Sequence, residues 1–288
     1  MRWGLALSGG GLLGAAHLGV LKALESRGLR PDVVAGTSAG GLVAVALAAG
    51  AGAETLVAFG RDVAAHPARY FSLQVVRLVL TALPEDPLPP ATGLVAADEF
   101  VAALAHAGAV PEKMDGLGMP VAVTAVDVVG LGAVAFVGGP VGDALLPGWR
   151  VLRRQAAVVA MSATMAQPGL FTAVPLGPML LVDGGVADTL PVDWAFALGA
   201  DRVVAVDVAA PGPAPTRMDV CAVVGRAEAY TTHALSRLRT PAARPVYILR
   251  PPTQGVPFAR LSAYPRLVAV GRRAAEAAME EIEGFLAQ

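Results

Sequence analysis

The feature that most limits what this chain can fold into is Gly36-Thr37-Ser38-Ala39-Gly40, a serine with a glycine two residues away on each side. It stands between the apolar run Val33-Val34-Ala35 and an alanine-rich stretch of helical character. The serine therefore sits on a strand-to-helix corner. Such a corner lifts the serine out of the sheet, and glycines are needed where a Cβ would collide. Ser8-Gly9-Gly10-Gly11 stands just upstream and Asp183-Gly184-Gly185 far downstream. Together the three segments suggest a nucleophile, an oxyanion site and a base.

The surrounding pattern is that of an α/β protein. Leu5-Ala6-Leu7 reads as a short buried strand ending in the glycine loop, and a helix follows from about Gly14 to Arg27 with Leu18, Leu21 and Leu24 at helical spacing. Gly28 closes that helix and Pro31 stops it. Asp32 to Gly36 is the next strand, followed by a helix to about Gly50. Strand, helix, strand, helix in this order predicts a mostly parallel sheet with helices on its faces. Further strands are predicted at Val121–Val126, Ala133–Val137, Leu180–Val182, Arg202–Val208 and Val246–Leu249, and a C-terminal helix from about Tyr264 to Leu286. The stretch from Ala53 to Ala97, with prolines at 84, 87, 89 and 90, reads as a cap-like excursion over the sheet edge. Its amphipathic piece from Val75 to Leu80 is either a lid that touches membrane or an ordinary connection. We expect one domain over residues 1–288: a motif-bearing core at about 4–210, the insertion at about 53–97, and C-terminal elements at about 216–288.

Composition narrows the function classes. With 55% hydrophobic residues and 16% charged ones, the chain is apolar for a globular protein and unlike a disordered one. A net charge of −1 without a basic run gives no footprint for nucleic acid. The lone cysteine, Cys221, excludes an intrachain disulfide framework, fits a reducing, cytoplasmic setting and reads as a buried inert thiol. The charge-free run between Asp32 and Glu54 is rich in glycine and alanine, so buried helix explains it better than a membrane span. A second uncharged run, Gln155 to Val182, is broken by Pro168, Pro175 and Pro178. The N-terminus runs into glycines without the apolar core of a signal peptide. No metal or cofactor is expected.

Gly9-Gly10-Gly11-Leu12-Leu13-Gly14 matches the dinucleotide fingerprint at its three glycine positions, which makes an oxidoreductase the rival reading. That fingerprint needs an acidic residue at the C-terminal end of the second strand. Asp32 lies at the N-terminal end instead, and Gly36-Thr37-Ser38 fills the required place. A glycine loop opening a helix serves equally well to hold a developing negative charge on bare backbone N–H groups.

Activating the serine requires a base. Beyond Asp183 the remaining histidine is His233, in a stretch that looks helical, and Ser38 comes too early for the α/β-hydrolase order. His17, His66 and His106 precede Asp183, and His17 is expected to pack beneath the glycine loop. Asp183 itself ends a buried strand before two glycines. It is either an ordinary Asp-Gly turn or a carboxylate that acts directly.

The set Gly9–Gly14, Gly36–Gly40 and Asp183–Gly185 resembles the patatin-like phospholipase family, as do Ala16-His17-Leu18-Gly19-Val20-Leu21 and Gln167-Pro168-Gly169-Leu170-Phe171. The resemblance covers about residues 4 to 210. It implies a three-layer α/β/α fold and hydrolysis of acyl esters by a Ser-Asp dyad, with a lipid substrate and room for peripheral membrane contact. Carried over, Ser38 is the nucleophile, Asp183 the base, and the N–H groups of Gly9, Gly10 and Gly11 the oxyanion hole. Gly14, Gly36, Gly40, Gly184 and Gly185 complete the motifs. Leu13 departs from the family, which often carries Arg or Lys there, and this favours a neutral ester or a lysophospholipid. Asp188 stands where many relatives have Asn. A catalytically idle, lipid-binding member is the remaining alternative.

Overall fold

The computed structural model describes residues 1–74, 91–209, 244–253 and 260–288, with scattered positions from 218 to 235. Val75–Leu80, Cys221, His233 and the proline cluster lie outside the described residues. The central sheet is built from β1 (Trp3–Leu7), β2 (Val33–Gly36), β5 (Val121–Asp127), β6 (Gly132–Gly138), β7 (Trp149–Arg153), β9 (Val174–Leu176), β10 (Met179–Asp183), β11 (Arg202–Val206) and β12 (Val246–Leu249). Its main path runs β12-β11-β1-β2-β5-β10-β9, with β6 and then β7 added beside β5. The first five strands of that path run parallel. A small second sheet joins β3 (Ser72–Leu73), β4 (Gly93–Ala96) and β8 (Gly169–Phe171). The mostly parallel α/β architecture expected from the sequence is the one observed.

Alternation along the strands sorts two cores, one on each face. Leu5, Leu7, Val34, Val123, Val204 and Val206 point to one side, Ala6, Ala35, Ala122 and Ala205 to the other. The first face is covered by α1 (Ala15–Ser26), α2 (Ala39–Ala48), α3 (Ala53–Ala65), α4 (Asp98–Ala107) and α5 (Ala157–Met165). The second receives α6 (Val192–Ala197), whose Trp194 is fully buried among the strand alanines.

Two expectations change. The segment from Ala53 does not simply pass over an edge: α3 buries Ala53, Leu56 and Val57 in the first core, because its apolar spacing continues into Phe59 and Val63. The C-terminal helix is two, α7 (Tyr264–Ala277) and α8 (Met279–Ala287), broken at Ala278. α7 lies backbone to backbone on α1. A Cβ on Gly19 would meet the Val268 carbonyl oxygen at 2.0 Å, and one on Gly271 the Ala16 carbonyl oxygen at 1.9 Å. Glycine at both contacts is what permits the approach, and it fixes α1, whose N-terminus carries the glycine loop.

Candidate active site

The site is set out by one strand. β5 lends a single edge to two others end to end: β2 runs parallel along Val121–Val123 and stops with Gly36 beside Val123, while β10 runs antiparallel from Asp127 and stops with Asp183 beside Ala125. The C-terminal ends of β2 and β10 thus meet head-on at Thr124. Gly36-Thr37-Ser38 and Asp183-Gly184-Gly185 are 145 residues apart in sequence (183 − 38) and adjacent in space for this reason.

Thr124 joins the two turns. Its hydroxyl lies 2.6 Å from that of Thr37, which in turn donates to the Asp188 carbonyl at 2.8 Å. Because the Thr37 proton is committed to that carbonyl, Thr124 is the donor between the two hydroxyls. A Cβ on Gly184 would lie 2.1 Å from the Thr124 hydroxyl oxygen, so only glycine fits beneath it. Asp188, buried, also accepts the Leu190 N–H on its own carboxylate at 3.2 Å. This is where Asp188 sits, bracing the turn that follows Asp183.

Ser38 is held in a strained conformation, φ 53° and ψ −125°, that costs a non-glycine residue about 1–3 kcal/mol. The surroundings enforce it. A Cβ on Gly36 would fall 2.3 Å from the Gly40 carbonyl oxygen, and one on Gly40 the same distance from that of Leu7. The corner can therefore close only with glycine at both places. The end of α5 then grips both halves of the site: the Thr164 hydroxyl accepts the Ser38 N–H at 2.8 Å, and the Ala166 carbonyl accepts the Asp183 N–H at 2.9 Å. The Asp183 carboxylate is buried, and its Oδ1 accepts the Gly185 N–H at 2.7 Å.

The glycine loop lies alongside; a Cβ on Gly9 would stand 3.3 Å from that of Ser38. One expectation for the loop needs correction. The Gly9 N–H donates to the Thr189 carbonyl at 2.9 Å, which satisfies it within the fold. The N–H groups of Gly10 and Gly11, at the start of the short 3-10 helix Gly11–Gly14, have no hydrogen-bond partner among the described residues. Gly14 packs its α-carbon against Ala39, where a Cβ would come within 2.5 Å, so the third glycine serves helix packing. Asp32 accepts the Trp3 N–H at 2.8 Å at the opposite, N-terminal end of β1 and β2, and no acidic residue occupies the dinucleotide position.

His17 packs beneath the loop as expected. Its Nε2 donates to the Ser8 carbonyl at 2.9 Å, and Nδ1 has no partner among the described residues. Burial lowers its pKa from 6.5 to about 4, so the imidazole is neutral at neutral pH. His66 bonds Asp62 on the exposed side of α3, away from the site. The Ser8 hydroxyl donates to the Gly9 carbonyl at 2.8 Å and accepts the Val208 N–H at 2.9 Å, tying the loop to the end of β11.

Ser38 opens into a cavity of about 390 Å³ on the first face of the sheet. Its walls are almost wholly apolar, with Leu18, Leu42, Phe59, Phe71, Phe100 and Phe171 prominent. Phe71 stacks on Phe100 with ring centroids 5.2 Å apart. Leu13 packs against the core beside this loop and supplies no charge. The residues that sequence reasoning missed are the threonines 37, 124 and 164. A threonine inside an apolar run is also an ordinary strand or helix residue, so composition gave no signal for them. Among the described residues no group of three or more His, Cys, Asp or Glu is placed to hold a metal, and no helix is long and apolar enough to cross a membrane.

Comparison with known proteins places this geometry. A family model for patatin-like phospholipase matches residues 5–96. An uncharacterized NTE family protein of Mycobacterium tuberculosis is 30% identical over 216 residues, 75% of this chain and 51% of that protein. Lysophospholipase NTE1 of Mycosarcoma maydis is 31% identical over 209 residues, 72% of this chain and 10% of that one. Human patatin-like phospholipase domain-containing protein 6 is 29% identical over 204 residues, 71% of this chain and 13% of its own. The chain spans about half the length of the first of these relatives and far less of the others. The family match covers the glycine loop and serine corner, and the alignments each take in more than two thirds of this sequence, so the chain is similar to the patatin-like phospholipase family over most of its length.

Proposed function

We infer that this protein hydrolyses fatty-acyl esters of lipids through a Ser38-Asp183 dyad. The observation that carries the reading is the head-on meeting of β2 and β10 at Thr124, beside an apolar cavity into which Ser38 opens. Ser38 Oγ attacks the ester carbonyl carbon while its proton passes to the Asp183 carboxylate. The negative charge that builds on the carbonyl oxygen is held by the N–H groups of Gly10 and Gly11. As the carbon–oxygen bond breaks, Asp183 gives its proton to the departing alcohol and the acyl group stays on Ser38. Water then attacks the acyl carbon, gives its proton to Asp183, and the fatty acid leaves as Ser38 regains its hydrogen. The cavity takes the acyl chain, and its volume and uncharged walls favour a single chain, as in a lysophospholipid, monoacylglycerol or simple carboxylic ester. The lone cysteine supports work in the cytoplasm.

Ser38→Ala is expected to lower hydrolysis of p-nitrophenyl acyl esters by roughly a thousandfold or more, and Asp183→Asn by a comparable factor, with circular dichroism unchanged in both. A fluorophosphonate probe is expected to label Ser38. Near-normal turnover by Asp183→Asn would remove the dyad, and labelling at another residue would remove the nucleophile. If the wild-type protein itself hydrolyses none of these esters, the idle lipid-binding reading replaces the hydrolase.

A further inference from the structure

β5 does not stop where the site is. From Val123, level with the end of β2, it runs on to Asp127, about 13 Å further at roughly 3.3 Å per residue, and turns into β6. The turn is apolar and exposed: Val128 is 41% accessible, Val129 65% and Leu131 86%. β7 runs parallel to β6 and begins with Trp149 beside Ala133, at the same end of the sheet. From Val128 to Gly142 there is no Asp, Glu, Lys or Arg. Turn tips are normally polar, and exposed apolar side chains are normally scattered.

The tip is also stiff. Asp127 Oδ1 accepts the Val129 N–H at 3.0 Å and the Leu180 N–H at 3.2 Å, and the Val128 N–H donates to the Leu180 carbonyl at 2.9 Å. A Cβ on Gly130 would stand 2.6 Å from Asp127 Oδ2, and Leu131 holds φ 51°. The apolar side chains are thus fixed outward and cannot fold back onto the strands. Exposed Arg150, in register with Val134, adds a cation on the flank of the same hairpin.

We propose that the β5–β6 hairpin tip, Val128, Val129 and Leu131, is an interfacial anchor that inserts into a lipid surface and seats the Ser38 edge of the sheet on it. A handful of side chains on a projecting turn falls far short of the roughly 800 Å² per partner that a stable protein interface buries. A lipid surface demands no matching shape. It rewards apolar side chains that reach the boundary between headgroups and acyl chains, and anionic headgroups complement Arg150. The biological sense of the anchor rests on the hydrolase reading, but its binding is measured without it.

The test uses flotation of the full chain with vesicles of phosphatidylcholine containing phosphatidylglycerol. Wild-type protein is expected to float with the vesicles. V129D/L131D is expected to lower the bound fraction about tenfold or more, as losing two apolar insertions and adding two charges requires. The same variant keeps its melting temperature and its rate on p-nitrophenyl butyrate, a soluble ester, while its rate on vesicle-borne lysophospholipid falls in step with binding. Ser38→Ala floats like wild type. Equal flotation of wild type and V129D/L131D, or none by wild type, overturns the anchor. So does a wild-type dimer that the variant dissociates, since the tip would then be a protein contact. Failure of the wild-type protein on both esters with flotation intact would overturn the hydrolase reading and leave the anchor standing.

Discussion

The two faces of the central sheet are packed on opposite plans. On one, the strands present alanines, Ala6, Ala35, Ala122 and Ala205, and the space they leave is filled by Trp194, with Trp149 meeting it edge-on at 5.6 Å. On the other, the strands present leucine and valine that the helices bury, and a cavity of about 390 Å³ ringed by phenylalanines lies beyond them, where those helices meet the small second sheet. Small strand residues under a large helix residue give a solid layer. Large strand residues under alanine-rich helices give a filled layer too, and the hollow is left on its outer side, among α1 to α4 and the small sheet. Thr164 holds Ser38 from the side of the hollow layer, where the chain must hold strain, while Thr124, in step with Ala122, and Thr37 bonded to it clamp the turns from the other side. The lesson is a division of labour: one face stores stability, and the other spends part of it on an opening.

Breaking the solid face should have the largest effect on stability. Trp194→Ala is expected to cost about 3–5 kcal/mol in denaturant unfolding, since the alanines around it cannot close the void. The ester-hydrolysis rate per folded molecule should stay within about twofold of wild type. An equal loss of specific activity would mean that the two faces are not independent. The next effect lies under the hollow face, at His17. Its pKa is lower in the folded chain, about 4, than in the unfolded one, 6.5. As pH falls through 6.5 the unfolded chain takes up a proton that the folded one refuses, so stability drops until about pH 4 and then levels. The loss is on the order of 3 kcal/mol. Chemical denaturation at steps from pH 7 to 5 should show most of this slope in wild type and little of it in His17→Gln. The smallest expected change sharpens the contrast at the rim. Thr164→Val keeps the volume but leaves the Ser38 N–H without its acceptor, a loss of about 1–3 kcal/mol. It should reduce kcat by ten- to a hundredfold, with Thr164→Ser restoring it. A fall in KM alone, with kcat intact, would remove Thr164 from the positioning of Ser38.

Much of this could be read from the residues. Apolar runs bounded by glycine or charge gave β1, β2, β5, β6, β10, β11 and β12 nearly to the residue, because buried strands leave a plain local signature. The glycines at 36, 40 and 184 were legible as places where a side chain would not fit. Illegible were the neighbours they make room for, since a missing Cβ says nothing about what comes close. That Gly184 lies under Thr124, or that the end of α5 grips Ser38 and Asp183 together, depends on strand order, which is set by contacts across more than a hundred residues. The break at Ala278 has no mark in the sequence, where alanine favours continuation of the helix. The placement of α3 in the core was hidden by its neighbours, since the prolines after it coloured the reading of the whole segment.

On the proposed dyad, the shared edge of β5 also sets when this protein becomes chemically competent. The corner that carries Ser38 is built by β1, β2 and α2, but the Thr164 hydroxyl that grips it comes 126 residues later and Asp183 145 residues later (183 − 38). On that reading a chain emerging from the ribosome carries the serine corner without its base until β10 closes against the free half of β5. The register must be right as well, because a slip of one residue would turn Asp183 to the opposite face of the sheet. Completion of the fold and arrival of reactivity are one event.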